Sequence, residues 1–124
     1  MSKVLLIEDD KSMLSLVSMF LEVEGYEVVQ LNSGEDVHSV ADILAEVKIA
    51  QPALILMDVH LHKMTGFDVL HGLRGDPELK DVLVLMSSGM DLTYECKREG
   101  ANGFILKPYM PDELADRIKK TIGN

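Results

Sequence analysis

The sequence predicts an α/β fold in which a doubly wound, five-stranded parallel sheet carries helices on both faces. Short unbroken apolar runs, such as residues 82–86, are typical of strands buried on both sides of a parallel sheet. These runs alternate along the chain with segments of helical periodicity, which indicates strands joined by right-handed helical crossovers. With 124 residues the chain has the size of one domain.

Five strands are predicted where apolar or β-branched runs end at charged residues or turn signals. They span residues 4–7, 26–31, 53–58, 82–86 and 104–106. In the third strand five consecutive apolar residues end on the carboxylate of Asp58. That carboxylate is therefore expected at the carboxyl edge of the sheet.

Five helices are predicted from apolar periodicity and from residues that favour helix ends. The first ends near Gly25, and its apolar face is formed by Met13, Leu16, Val17 and Phe20. The others are expected at residues 35–49, 67–75, 92–98 and 111–122. Ser33 is a candidate N-cap for the second, and Pro111 suits the first turn of the last.

Composition limits the classes of function. A net charge of −9 argues against a nucleic-acid-binding face, which needs clustered Lys and Arg. The single cysteine, Cys96, excludes an internal disulfide, suits a reducing cytoplasm and is predicted to lie on a helix without a catalytic role. No signal peptide is evident, and no apolar run approaches the roughly 20 residues that span a bilayer. We expect a cytoplasmic protein without membrane insertion or direct nucleic-acid binding.

Polar side chains follow four of the predicted strands. They are Glu8, Asp9 and Asp10, then Asp58, then Ser87 and Ser88, and finally Lys107. The carboxyl ends of parallel strands meet at one edge, where open α/β sheets bind ligands. Two carboxylates about 4 Å apart repel by roughly 4 kcal/mol at an effective dielectric constant of about 20, so this cluster favours a cation. Oxygen ligands select a hard divalent ion such as Mg²⁺.

A carboxylate, Mg²⁺ and an ammonium group together suit phosphoryl transfer, because its catalysis depends on positioning and charge stabilisation. Asp58 is the candidate nucleophile and would form an aspartyl phosphate. Lys107 would supply the ammonium group. A serine hydroxyl at the next strand could hydrogen-bond the new phosphoryl group.

These residues lie in motifs that resemble the receiver domain of two-component response regulators. The motifs are Ile7-Glu8-Asp9-Asp10, Leu56-Met57-Asp58, Met64-Thr65-Gly66, Ser88-Gly89 and the run from Gly100 to Lys107-Pro108. They occur in order, and the resemblance covers residues 4–122. It implies a flavodoxin-like (CheY-like) sheet of strand order 2-1-3-4-5. It also implies a signalling switch that accepts a phosphoryl group from a histidine kinase or phosphotransfer protein, rather than an enzyme acting on other substrates.

The resemblance assigns roles to the acidic residues and the lysine. Asp58 matches the phosphoacceptor, and Lys107 matches the lysine that pairs with the phosphoryl group. Glu8, Asp9 and Asp58 match the acids of the Mg²⁺ site, where Mn²⁺ could substitute. His60 matches the position whose backbone carbonyl binds the metal.

The resemblance also assigns a switch. Ser88 lies 30 residues after Asp58 (88 − 58 = 30) and matches the switch hydroxyl better than Ser87 does. Phe104 matches the switch aromatic, whose ring is expected to move inward when Ser88 engages the phosphoryl group. The face formed by the fourth helix, fifth strand and last helix is the expected site of an unidentified downstream partner or a homodimer. The chain ends with the last helix, so we expect a single domain over residues 1–124 without an attached effector domain.

The sequence departs from the family pattern at four places. His62 stands where proline is usual, and Phe104 lacks the tyrosine hydroxyl that is common at its position. Residues 34–51 form a longer segment, and residues 89–100 form a shorter one. Three other interpretations stay open. A phosphatase of the haloacid-dehalogenase type needs a second aspartate where His60 stands. His60 and His62 with Asp58 could instead bind Zn²⁺ or Cu²⁺. The chain could also be an interaction module of the same fold that is not phosphorylated.

Overall fold

The computed structural model describes residues 2–31 and 39–123, and within these ranges strands and helices alternate strictly. The strands are β1 (Lys3–Ile7), β2 (Glu27–Leu31), β3 (Leu54–Asp58), β4 (Leu83–Ser88) and β5 (Gly103–Leu106). The helices are α1 (Lys11–Val23), α2 (Val40–Ala50), α3 (Gly66–Gly75), α4 (Thr93–Arg98) and α5 (Pro111–Ile122).

The five strands form one parallel sheet in the order β2-β1-β3-β4-β5. This confirms the predicted fold and strand order. The register places Asp58 of β3 opposite Ser87 of β4, and Ser88 opposite Leu106 of β5. All carboxyl ends therefore lie at the same edge of the sheet.

Two apolar clusters cover the two faces of the sheet. The first cluster includes buried side chains of α2, α3 and α4, and the second includes those of α1 and α5. We call the corresponding sheet faces the α2–α4 face and the α1/α5 face. Side chains alternate between faces along a strand, so Met57 points to the α2–α4 face and Leu56 to the α1/α5 face.

Helix α1 buries most of the face that its periodicity predicted, but not Leu16. Val17 is buried, and Met13 and Phe20 pack partly buried against the same cluster. Leu14 and Leu21 are buried beside them, whereas Leu16 is 59% exposed. Apolar residues occur on several sides of this helix, so spacing alone offers more than one stripe. Packing against the sheet selects the stripe that is buried.

In the described part of the chain helix α2 begins at Val40, whereas the prediction placed its start at Glu35. The hydroxyl of Ser39 accepts a hydrogen bond from the backbone N–H of Asp42 (3.1 Å), which caps a helix starting at Val40. The predicted cap Ser33 and the predicted first turn at residues 35–38 lie outside the described residues. Strand β4, in contrast, is longer than predicted, because Ser87 and Ser88 belong to it.

Arg74 of α3 holds the segments that precede β4 and β5. The guanidinium group of Arg74 donates to the carbonyl oxygens of Val82 (2.7 Å) and Gly100 (3.0 Å), and to Oδ1 of Asn102 (2.8 Å).

As predicted, Cys96 lies on a helix, and its burial raises the pKa of the thiol to about 11. Within residues 2–31 and 39–123, no helix is long and apolar enough to cross a membrane.

Candidate functional site

Three residues that the sequence singled out are in direct contact at the carboxyl edge of the sheet. Glu8 follows β1, Asp58 ends β3 and Lys107 follows β5. The Lys107 Nζ donates to Glu8 Oε1 at 2.8 Å and to Asp58 Oδ2 at 2.9 Å. Their side chains are only 12–21% exposed. The lysine thus bridges two carboxylates from separate strands.

The electrostatics of this bridge keep Lys107 charged. Burial lowers the pKa of Lys107, but the hydrogen bonds and charges of Glu8 and Asp58 outweigh burial and raise that pKa above its usual value. The ammonium group also offsets the repulsion between the two carboxylates. It is therefore a fixed positive charge beside the candidate nucleophile.

Backbone N–H groups orient the carboxylates. Asp58 Oδ1 accepts from the N–H of His60 (3.1 Å), and Glu8 Oε2 accepts from the N–H of Asp9 (2.9 Å). Asp9 Oδ2 accepts from the N–H of His62 and lies 3.9 Å from the Nδ1 of that imidazole. His60 also pairs with Thr65 in an antiparallel bridge, which closes the loop after β3.

The donor groups at this edge suit a hard cation. Glu8, Asp9, Asp10 and His60 line an open cleft of about 410 Å³. Mg²⁺ needs only one or two carboxylates, with carbonyl oxygens and water as further ligands. In the described part of the chain, no three His, Cys, Asp or Glu side chains form a group that could hold a metal. The all-side-chain site of His60, His62 and Asp58 is accordingly not assembled.

The two adjacent serines lie on opposite faces of the sheet. Ser87 is paired with Asp58 in register, so both side chains point to the α1/α5 face, and both line one small cavity. Ser88 points to the α2–α4 face, and its Oγ accepts from the backbone N–H of Met90 (3.1 Å). The two hydroxyls therefore have different surroundings, which the sequence alone did not distinguish.

Phe104 is already packed inside the molecule. Its side chain is 5% exposed and belongs to the cluster on the α2–α4 face, in register with Met86. The expected inward movement of this ring is thus not needed in the present conformation. The ring lies on the same face as Ser88.

Sequence reasoning missed Tyr109, which lies two residues after Lys107 and lines the same small cavity as Asp58. Burial raises the pKa of Tyr109 to about 12; the charge of Lys107 opposes this rise, and the charges of Glu8 and Asp58 add to it. The phenol is consequently neutral and can donate a hydrogen bond. A Tyr two residues after a strand-end lysine carries no recognisable sequence signal.

We expect Tyr109→Phe to weaken the pH dependence of stability above pH 10. Below the ordinary pKa of 10.0 the phenol is protonated in both the folded and unfolded states. Above it, the unfolded phenol ionises first, so stability falls as the pH rises through the folded pKa, by about 2–3 kcal/mol in total. Urea unfolding from neutral pH to strongly alkaline pH measures this loss. Tyr94→Phe is the control, because the side chain of Tyr94 is exposed on α4. Equal slopes of unfolding free energy against pH for the two variants would contradict the prediction.

Known proteins with similar sequences point to one family. Residues 4–119 match the model of the response regulator receiver domain. The DNA-binding dual master transcriptional regulator RpaA of Synechocystis is 33% identical over 122 residues, which cover 96% of this chain and 48% of that protein. The transcriptional regulatory protein CpxR of Escherichia coli K12 is 32% identical over 120 residues, covering 96% and 48%. The chain spans about half the length of these curated relatives.

Solved structures agree with the sequence comparisons. The chemotaxis response regulator CheY4 of Vibrio cholerae superposes with a TM-score of 0.85 at 29% identity, over 98% of each chain. A CheY-like receiver domain protein of Methanospirillum hungatei gives a TM-score of 0.81 at 25% identity, over 98% of this chain and 94% of that one. Both similarities cover nearly the whole length of the matched chains.

Proposed function

This chain belongs to the response regulator receiver domain family, and we propose that it is a switch turned on by phosphorylation of Asp58. Signalling by phosphorylation is general to this family, whose members interact with histidine kinases. The observation that carries the proposal is the hydrogen bond from Lys107 Nζ to Asp58 Oδ2 (2.9 Å), at the edge of the sheet where the acids that follow β1 also lie. A carboxylate beside a fixed ammonium group is suited to accept a phosphoryl group.

In the proposed reaction the carboxylate of Asp58 attacks phosphorus in a phosphohistidine of a sensor kinase or phosphotransfer protein. The P–N bond breaks, and its electron pair stays on the imidazole nitrogen that leaves. The ammonium group of Lys107, which first pairs with the carboxylate of Asp58, then pairs with the negatively charged phosphoryl oxygens. Attack by water on phosphorus later releases inorganic phosphate and regenerates Asp58. The chain thus acts only on its own phosphoryl group.

We propose that the carboxylates of Asp9 and Asp58 and the backbone carbonyl of His60 hold Mg²⁺ or Mn²⁺, and that Glu8 acts on the ion through water. When bound, the ion neutralises negative charge on the transferred group. The N–H groups of His60 and His62 hold the carboxylates of Asp58 and Asp9 in place. The chain therefore supplies oriented oxygen ligands, and Lys107 supplies the compensating charge.

The proposed output is a change around Ser88. Its hydroxyl now accepts from the N–H of Met90, at the start of the loop that leads to α4. Donation of this hydroxyl to a phosphoryl oxygen would reorganise that loop, while Phe104 stays inward and supports it. This would alter the face formed by α4, β5 and α5.

That face offers an apolar surface for a downstream protein or a second copy of the chain. It exposes the apolar side chains of Met90, Tyr94, Leu106 and Met110. We propose that the segment itself does not touch nucleic acid, since its net charge is −9. We also propose a cytoplasmic location, because its only cysteine is buried as a free thiol.

The proposal predicts uptake of one phosphoryl group from a small donor. Incubation with acetyl phosphate and Mg²⁺ should increase the intact mass by one phosphoryl group, because acetate is a good leaving group. Addition of a chelator before the donor should prevent the increase. If no adduct forms at any Mg²⁺ concentration, the chain is an unphosphorylated interaction module instead. Continuous hydrolysis of many phosphate esters without an adduct would point to a phosphatase.

A further inference from the structure

A small cavity lies beside Asp58 on the α1/α5 face and shares Glu8 with the open cleft of the acids. Its volume is about 20 Å³, and its polar lining comes from Glu8, Asp58, Ser87 and Tyr109. The other walls are apolar side chains of β1, β3 and α1. A space of this size holds one water molecule, provided that two to four polar groups are available to it.

We propose that this cavity is a site for one ordered water, which Ser87 holds against the carboxylate of Asp58. Ser87 is then a positioning residue for the phosphoacceptor. The inference rests on the proposed function, because its consequence is a change in the rate at which Asp58 takes up a phosphoryl group.

The register of the sheet places Ser87 for this role. Ser87 and Asp58 are directly opposite on neighbouring strands and point to the same face, and Ser87 is only 3% exposed. A serine hydroxyl can donate one hydrogen bond and accept two, so it can hold a water and keep another partner. Water-mediated hydrogen bonds are nearly as favourable in enthalpy as direct ones.

The carboxylate of Asp58 has room for such a partner. Its Oδ1 accepts from the N–H of His60, and its Oδ2 accepts from Lys107. A carboxylate has about four acceptor positions, so both oxygens keep one for another donor. A water on the cavity side would restrict rotation of the carboxylate, and the neutral phenol of Tyr109 is a further polar group on the cavity wall. Orientation of the nucleophile is a large part of catalysis in phosphoryl transfer.

Ser88 cannot take this role in the present conformation. Its hydroxyl lies on the other face of the sheet, where it accepts from the N–H of Met90. The two serines thus divide two tasks: Ser87 orients the acceptor, and Ser88 responds to its phosphorylation.

The test compares Ser87→Ala with Ser18→Ala. Ser18 is also 3% exposed, but it lies on α1 and accepts a hydrogen bond from Gln30 (2.8 Å), so it controls for the loss of a buried hydroxyl. Uptake of the phosphoryl group from acetyl phosphate is measured at saturating Mg²⁺ over a range of donor concentrations. We expect Ser87→Ala to lower the maximal rate about five-fold, in keeping with one lost hydrogen bond. The donor concentration at half-maximal rate should not change, and Ser18→Ala should match the unaltered protein in both quantities.

The second measurement is a high-resolution crystal structure of the unaltered protein. It tests the inference even if Ser87→Ala does not fold. It should show one water within hydrogen-bond distance of Ser87 Oγ and an Asp58 carboxylate oxygen. Equal maximal rates for both variants, or a cavity without such a water, would overturn the inference while leaving phosphorylation of Asp58 intact. Failure of the unaltered protein to take up a phosphoryl group would overturn the proposed function itself.

Discussion

Asp58→Asn is expected to abolish uptake of a phosphoryl group from acetyl phosphate. The amide has nearly the same shape and can still accept the N–H of His60, but it lacks the negative charge and the nucleophilic oxygen that form the acyl phosphate. Intact mass after incubation with donor and Mg²⁺ measures the loss. The unaltered protein should show one adduct and the variant none.

The matched control is Asp116→Asn on α5. Asp116 is an exposed carboxylate paired with Lys120 at 3.1 Å, and it lines neither the cavity beside Asp58 nor the cleft of the acids. It loses the same charge, so it separates an effect of net charge from an effect of the nucleophile. An adduct that persists in Asp58→Asn would show that another side chain accepts the phosphoryl group, and peptide mapping would identify it.

Gly66→Ala is expected to lower the free energy of unfolding by about 1–3 kcal/mol, as overpacked sites typically do. A Cβ at this position would lie 2.6 Å from the backbone oxygen of Asp58, 2.8 Å from Met86 Cε and 3.0 Å from Val59 Cα. Two of these three atoms belong to the backbone that carries Asp58 and cannot rotate away. The start of α3 or the end of β3 must therefore shift, and phosphoryl uptake should become slower as well.

Gly75→Ala, at the other end of the same helix, is the control for this prediction. Nothing lies within 4 Å of a Cβ added at Gly75, and alanine is a better helix former than glycine by roughly 1 kcal/mol. We expect a small gain in stability and an unchanged rate of phosphoryl uptake. Urea denaturation and the acetyl phosphate assay measure both quantities. Similar losses in the two variants would show that Gly66 is not required for the close approach.

The sequence by itself determined the sheet and the principal residues of the candidate site. Unbroken apolar runs indicate buried strands because a strand covered on both faces has no position for a polar side chain. Asp58 and Lys107 follow such runs directly, and parallel strands end at one edge, so local pattern was enough to predict that they meet. The roles of these residues as phosphoacceptor and counter-charge stay proposals until the adduct is measured.

The tertiary structure alone decided on which face of the sheet, or on which side of a helix, neighbouring residues lie. The register of β3 against β4 separates Ser87 from Ser88, and a shift of one residue would exchange their faces. Packing against the sheet buries Leu14 and exposes Leu16, although both are apolar. The cavity wall at Tyr109 is formed by elements far apart in sequence. These outcomes depend on contacts between distant segments, and the periodicity of any one segment does not contain them.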